Sequence, residues 1–252
     1  FRTREFEQME MQFFVRPGTE MEWYNKWKEE RWKWHRSLGF AEENLKFYDH
    51  LKLAHYANAA VDIQFNFPFG IKEIEGIHSR TDFDLTQHQN NTGKKLQYFD
   101  PELNQSYIPY VVETSIGLNR TFLALICNGY KNEKLEDGSE RTVLALPPFL
   151  APIQIAVFPL VKKDGLPEKA QEIMSELKWD FQCFYEEKDS IGKRYRRMDA
   201  IGTPYCITID HQTLEDNTVT IRERDTMKQD RISIEQLKAV VAERVDWKKG
   251  LK

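Results

Sequence analysis

Cysteine is scarce in this chain, and the little there is carries no pattern. Cys127, Cys183 and Cys206 show neither C-x-x-C spacing nor an even count. That argues against a disulfide scaffold or a structural zinc site, and for a reducing compartment, the cytoplasm. No apolar run approaches the roughly 18 residues that a membrane-spanning helix needs. Neither sign of charge dominates: 36 Lys and Arg stand against 40 Asp and Glu, for a formal charge of −4. A strongly basic arm-type binder is thereby excluded, although a local basic face is not. Several motifs are missing as well. There is no G-x-S-x-G, no Walker A and no G-x-G-x-x-G, and His50 and His55 lack H-E-x-x-H spacing while His78 stands alone. The commonest hydrolase, P-loop and dinucleotide readings fall away.

What is present is core material. Apolar residues make up 40% of the 252 and aromatics 13%, enough for one large or two ordinary domains and too much for a disordered chain. The chain opens at Phe1 rather than Met, with no signal peptide ahead of it, and reads as a piece of a longer polypeptide.

Residues 1–16 alternate with period two, which predicts a strand from the first residue onward. Arg2, Arg4, Phe6, Gln8, Glu10 and Gln12 share one face, poor material for a core but suited to a nucleotide or to solvent. Pro17 and Gly18 end the strand, and Thr19 with Glu22 has capping-box spacing. Tyr24, Trp27, Arg31, Trp34 and Leu38 then recur at helical intervals, as for a core-facing helix. A second helical segment is expected over residues 41–58, with strands over 60–67, 71–76 and 107–115. The polar residues 86–106 read as an excursion or hairpin, and residues 119–130 as a helix burying Phe122, Leu123 and Ile126.

The hydrophilic stretch 131–148, closed by Pro147 and Pro148, places a domain boundary near 148. Beyond it strands and helices alternate, the pattern of a compact α/β domain. The expected fold is therefore an antiparallel α+β domain over residues 1–148. An α/β domain with a mostly parallel or mixed sheet follows over residues 149–252.

Three constellations in the first domain and one in the second carry chemistry. Glu73 and Glu75 share a strand face on the expected alternation, with Arg80 and Asp82 on the loop beyond; paired carboxylates suit Mg²⁺ or an ammonium group, or form a solvated edge. Glu113 and Ser115 alternate towards the turn at Gly117. Arg120 falls in the first turn of the next helix, where a cation is better placed if an anion lies between it and the helix N-terminus. In the second domain, residues 193–197 read KRYRR, and Arg222 alternates with Arg224. Cations interleaved with an aromatic suit a phosphate backbone and a stacked base, or a solvated face balanced by Asp189, Asp199, Glu223 and Asp225.

Taken in order, these segments resemble a known family. FRTREFEQME (1–10) resembles the second half of motif 2 of the class II aminoacyl-tRNA synthetases, and ETSIGLNR (113–120) their motif 3. EIEGIHSRTDFDL (73–85), PYVVETS (109–115), LAPIQ (150–154), IGKRYRRMD (191–199), GTPY (202–205) and TVTIRERD (218–225) are similar to the dimeric glycyl-tRNA synthetases. The resemblance implies an antiparallel catalytic sheet followed by an anticodon-binding domain. It further implies ATP-dependent ligation of glycine to tRNA(Gly) through a glycyl-adenylate, with Mg²⁺, in a homodimer.

By that pattern Arg2, Arg4, Phe6, Glu73 and Arg120 bind ATP. Phe6 stacks on adenine, Glu73 is associated with the nucleotide's Mg²⁺ and Arg120 meets the terminal phosphate. Glu10, Glu113 and Ser115 recognise the glycine ammonium. Arg80 and Arg120 are the catalytic cations. Arg194, Tyr195, Arg197, Arg222 and Arg224 are candidates for tRNA contact. Motif 1 and the first half of motif 2 belong upstream of Phe1, so a chain that truly began there would be inactive. Two other readings stand beside this one: a non-catalytic RNA-binding module derived from such an enzyme, and a class II synthetase for another small amino acid.

Overall fold

The computed structural model describes residues 1–249; residues 250–252, at the end of the expected second domain, lie outside the described residues. The chain divides into two compact units, Phe1–Cys127 and Asn128–Lys252. Among the described residues no helix is long and apolar enough to cross a membrane.

The first unit begins with strand β1 (Gln8–Val15) and helix α1 (Glu20–Ser37). Strands β2 (Leu45–Asp49), β3 (Ala59–Phe67) and β4 (Gly70–Thr81) follow, then helix α2 (Phe83–Thr92) and a small hairpin of β5 (Tyr98–Asp100) and β6 (Gln105–Tyr107). Strand β7 (Tyr110–Gly117) runs directly into helix α3 (Leu118–Gly129). Five strands make an antiparallel sheet in the order β1-β7-β4-β3-β2. Its two faces differ in kind. Val61, Ile63, Ile77, Val112 and Ile116 share one face and are all but fully buried, and α1 packs on that side. The opposite face carries Glu10, Gln12, Glu113, Ser115 and His78.

Several local expectations change. Residues 1–7 are not a strand, because Gly117 pairs with Gln8 and β7 then turns into α3, leaving nothing for residues 1–7 to pair with. The capping box at Thr19 does not form: its hydroxyl donates to the Arg16 carbonyl, and the Glu20 carboxylate accepts from Gly18 N. Residues 41–58 form one 3₁₀ turn and then β2 in place of a helix, since Leu45 and Phe47 alternate against β3. The polar excursion holds helix α2 as well as a hairpin. Phe122 is exposed on α3, and Thr121 and Ala124 take the buried positions.

The second unit opens with a hairpin formed by β8 (Tyr130–Lys134) and β9 (Glu140–Leu144), so the hydrophilic stretch is ordered structure and not a linker. There follow β10 (Ile155–Pro159), α4 (Leu166–Leu177), β11 (Cys183–Tyr185), α5 (Ile191–Ile201), β12 (Tyr205–Ile209), α6 (His211–Asp216), β13 (Thr218–Glu223), β14 (Gln229–Ser233) and α7 (Ile234–Arg244). The sheet order is β11-β10-β12-β13-β14. The first three strands are parallel and the last two antiparallel, a mixed sheet. Leu166, Ala170, Ile173 and Leu177 of α4 join Leu237 and Val241 of α7 on one face, over Ile155, Val157, Ile207 and Ile221. Met198 of α5 covers Ala156, Phe158 and Cys206 on the other. Helices on both faces explain why β10 and β12 are buried throughout.

Candidate active site

Two bulges in β4 arrange the site. Ile63 pairs with Glu75 and Gln64 with Glu73, which leaves Ile74 as the extra residue. The alternation that would have put Glu73 and Glu75 on one face is broken there. Glu75 turns to the α1 side, fully buried, where Arg31 Nε and His35 Nε2 each lie 2.6 Å from its carboxylate. A carboxylate so enclosed belongs to the scaffold. Glu73 instead faces the polar side. The second bulge leaves Arg80 between Ser79, paired with Val112, and Thr81, paired with Val111. Thr81 takes a left-handed φ of 58° there.

Beside the sheet lies a cavity of about 310 Å³, lined by Arg2, Phe6, Gln8, Glu73, Asn119 and Arg120 among others. Arg120, in the first turn of α3, holds its guanidinium 4.5 Å above the Phe1 ring. Its Nη1 lies 3.7 Å from Glu73 Oε1. Gly117 lets Arg120 pack closely at the approach: a Cβ there would sit 3.2 Å from Arg120 Cδ, and the side chain would have to give way slightly. The rim is clasped to α3 by Glu7: its N–H donates to Asn119 Oδ1 at 2.7 Å, and its carbonyl accepts from Leu118 N at 2.9 Å. The Phe6 ring is left 60% exposed, open to stacking. Arg2 lines the cavity and Arg4 does not.

On the sheet face next to this cavity, register does the assembling. Glu10 pairs with Ser115 and Gln12 with Glu113 across β1 and β7; His78 pairs with Glu113 across β4. Ser115 Oγ lies 3.4 Å from Glu10 Oε1. Glu113 accepts from Gln12 Nε2 at 2.6 Å and from Arg80 Nη1 at 3.1 Å. Arg80 also pairs with Asp84 at 2.8 Å and lies over the Tyr56 ring at 4.3 Å. His78, then Gln12 and Arg80, hold the Glu113 carboxyl down to about 2 against the opposing push of burial. His78 Nδ1 stands 3.7 Å from Oε1, too long for a hydrogen bond, so Gln12 and Arg80 are the firm partners. The result is a carboxylate fixed in place and fully ionised at neutral pH. Gln12, His78, Asp84 and Asn119 were not marked by sequence reasoning as site residues. Gln12 and His78 could have been found by aligning the three strands on Glu113.

The second unit holds its expected RNA-contacting residues differently. Arg194 is buried and donates to the carbonyls of Pro159, Leu160 and Glu186. Arg222 is buried against Asp199, with contacts of 2.8 and 3.0 Å. Arg224 is spent on the carbonyls of Leu144, Gly202 and Leu146 and on Asp225. These guanidiniums are structural, because their terminal nitrogens are committed to partners inside the fold, with Arg194 Nε left without one. Tyr195 is half-buried, its hydroxyl 2.5 Å from Thr208 Oγ1, and burial raises its pKa. Arg197 remains near the surface, paired with Asp189 and Glu186. An open groove of about 660 Å³ runs past Lys193, Tyr195, Arg196, Arg197, Met227 and Gln229. The cysteines have no part in either region; burial pushes Cys206 up to about 12 and Cys183 up to about 11.

Residues 154–244 match a family model described as an anticodon binding domain. Over 235 residues the chain is 55% identical to a glycine–tRNA ligase of Chlorobaculum tepidum, covering 93% of this chain and 50% of that protein. It is 52% identical over 249 residues to that of Clostridium kluyveri, covering 98% and 53% respectively. Against the Borrelia hermsii protein it is 50% identical over 256 residues, covering 100% and 58%. The chain belongs to the glycyl-tRNA synthetase family. It spans about half the length of the curated relatives it matches. Against that background Glu113 and Ser115 stand on β7, which carries the motif 3 resemblance. Arg120 follows on α3, and Glu10 stands on the neighbouring strand β1.

Proposed function

We propose that the full-length protein joins glycine to tRNA(Gly) in two steps, with ATP consumed in the first. The observation that carries this reading is the register that sets Glu10 beside Ser115 and Gln12 beside Glu113, next to a cavity where Arg120 faces Glu73. A small ammonium suits the pair Glu10 and Ser115, with the fixed charge of Glu113 behind it. A carboxylate oxygen of glycine then attacks the α-phosphorus of ATP; the bond from that phosphorus to the bridging oxygen breaks, and pyrophosphate leaves with its electron pair. The tRNA 3′-terminal hydroxyl next attacks the glycyl carbonyl, and AMP departs. Neither step needs a protein nucleophile, so the chain contributes positioning and charge neutralisation.

In this scheme the exposed Phe6 ring stacks on adenine and Arg2 approaches the nucleotide from the rim, with Arg4 assigned to the nucleotide from the same segment, outside the cavity lining. Arg120 meets the terminal phosphate at the N-terminus of α3, where backbone N–H groups favour an anion. Glu73, the carboxylate facing Arg120, would help hold Mg²⁺, a hard cation that takes one or two carboxylates together with phosphate oxygens and water. Magnesium would supply charge neutralisation on the departing pyrophosphate. Arg80, anchored by Glu113, Asp84 and Tyr56, lies on the side of the substrate carboxylate.

Residues 1–148 are assigned to the catalytic domain and residues 149–252 to anticodon binding, although the β8–β9 hairpin within the first range packs with the second unit. Of the basic run, the surface cations Lys193, Arg196 and Arg197 suit the RNA backbone, with Tyr195 as one wall of their groove. The whole protein is assigned to the cytoplasm, as a homodimer. Glycine-dependent exchange of pyrophosphate into ATP by the full-length protein tests the reading. Tight tRNA binding without exchange would identify a non-catalytic RNA-binding module instead.

A further inference from the structure

The register of the first sheet sets Gly76 opposite Ser115 and His78 opposite Glu113. The two are a double step apart on β4 and so share the polar face. The His78 ring leans along the strand over Gly76: a Cβ added at Gly76 would lie 2.8 Å from His78 Cε1. Behind it stands Asp62, which pairs with Gly76 across β3. His50 meets the ring edge-on at 6.1 Å, with its own Nε2 2.9 Å from Asp62 Oδ1. The imidazole therefore fills the patch of sheet bounded by Glu113, Ser115, Gly76 and Asp62. Its Nδ1 is buried without a hydrogen bond, 3.7 Å from Glu113 Oε1, so packing and the nearby charge, not a hydrogen bond, hold the ring there.

We propose that His78, seated over Gly76, is a specificity-determining residue: it is the wall that leaves the amino-acid subsite room for glycine and none for a substrate side chain. The inference rests on the glycine-activating reading above and names what enforces its substrate. An ammonium held at Glu10 and Ser115 puts the substrate Cα within reach of this patch, and the patch is already occupied. The wall is stiff, because the β4 backbone around His78 is paired on both sides, to β3 and to β7. Gly76 is what makes the seat possible, since a Cβ there would displace the ring. A pocket that merely gained favourable area from one methyl discriminates by about 10–200-fold; removing a wall should return a ratio on that scale.

The test is pyrophosphate exchange by the full-length protein with glycine and with alanine, reading the ratio of the two kcat/KM values. That ratio does not depend on how much of a sample is folded, so a purely structural role for His78 would not move it. In His78→Ala the preference for glycine should fall by at least about 10-fold, chiefly through a gain with alanine. In His78→Gln, which keeps most of the volume, it should stay within about threefold, below the range attributed to one methyl. His78→Ser is the second space-making variant should the alanine variant not fold. A parent active with glycine whose preference survives both space-making variants overturns the proposal and leaves the reaction assignment standing. An equal fall in the glutamine variant also overturns it, because volume would then not be the cause. A parent with no glycine-dependent exchange overturns the reaction assignment, and this inference with it.

Discussion

The candidate ligand-facing regions of the two units use arginine in opposite ways. In the first, Arg120 lies beside Glu73 at the edge of an open cavity and Arg80 beside Glu113 and Asp84 on the sheet, each about a fifth exposed. In the second, Arg141, Arg194, Arg222 and Arg224 are buried, and between them they take up carbonyls from Pro159, Leu160, Gly202 and Leu144 and the carboxylate of Asp199. A guanidinium is available to a ligand only when its five donors are not already committed. Charge in the sequence therefore marks where a cation is, while the donor inventory decides what it is for. Asp199 makes the point sharply: fully buried, it bridges Arg141 of the β8–β9 hairpin at 3.2 Å and Arg222 of β13 at 2.8 Å.

The largest effect expected from this contrast is on stability. Asp199→Asn leaves buried Arg222 short of its counter-charge and takes one of two carboxylates from Arg141, whose other is Glu133, and should cost about 3–5 kcal/mol in chemical denaturation. A loss below about 1 kcal/mol would mean that the carbonyls carry the network alone, a value nearer that of exposed ion pairs. Arg120→Ala should show the opposite profile. We expect a loss of about 2–4 kcal/mol in transition-state stabilisation, read as kcat/KM for exchange, with stability changed by no more than about 0.5 kcal/mol. A rate within about twofold of the parent, well short of the loss of one preorganised donor, would remove Arg120 from the site.

Glu113→Gln keeps shape and removes charge, so it should raise the glycine requirement far more than the ATP requirement in matched titrations. It also carries a pH signature. The folded carboxyl is held at about 2 against an ordinary 4.5, so its contribution to stability is fully present above about 4.5 and is lost as pH falls through about 2. The gap between parent and variant in denaturation should close across that window. A gap that stays constant would show that the Gln12 and Arg80 contacts do not depend on the charge.

The smallest effects belong to the surface of the second unit. Arg196→Ala and Arg197→Ala should leave stability within about 0.5 kcal/mol while reducing the salt dependence of tRNA binding, each by about one phosphate contact. Arg194→Ala should do the reverse, destabilising the unit with no separate change in salt slope. If all three behave alike, burial has not sorted structural arginines from RNA-facing ones.

Much of this sorting was within reach of the amino-acid pattern. On α5, Ile191, Arg194 and Met198 are three and four residues apart and so lie on one face, the face Met198 buries; Arg196 and Arg197 fall elsewhere. The strand alternation correctly set Glu10 with Gln12, and Glu113 with Ser115. It failed at Glu73 and Glu75 because a bulge lies between them, and one inserted residue reverses every facing beyond it; Arg80, expected on a loop, stands instead at a second bulge within β4. Nothing local marks those insertions, since they depend on how β4 pairs with two neighbours at once. The strand expected over residues 1–7 failed for a related reason: alternation shows what a segment can pair with, not whether a partner is there. The β8–β9 hairpin hid behind its polarity. Arg141, its buried anchor, is tied down by Asp199, 58 residues away in sequence.

The central claim is that the polar face of the first sheet and the cavity beside it form one site for glycine and ATP together. Binding of a non-hydrolysable glycyl-adenylate analogue to the full-length protein, by calorimetry, tests it most directly. The account predicts tight binding by the parent. Arg120→Ala, at the nucleotide end, and Glu113→Gln, at the amino-acid end, should each weaken it by about 10- to 100-fold, the scale of a lost charge-assisted contact. Asp199→Asn, compared under conditions where it is folded, should bind as the parent does. Unchanged affinity in both of the first two variants would contradict the claim.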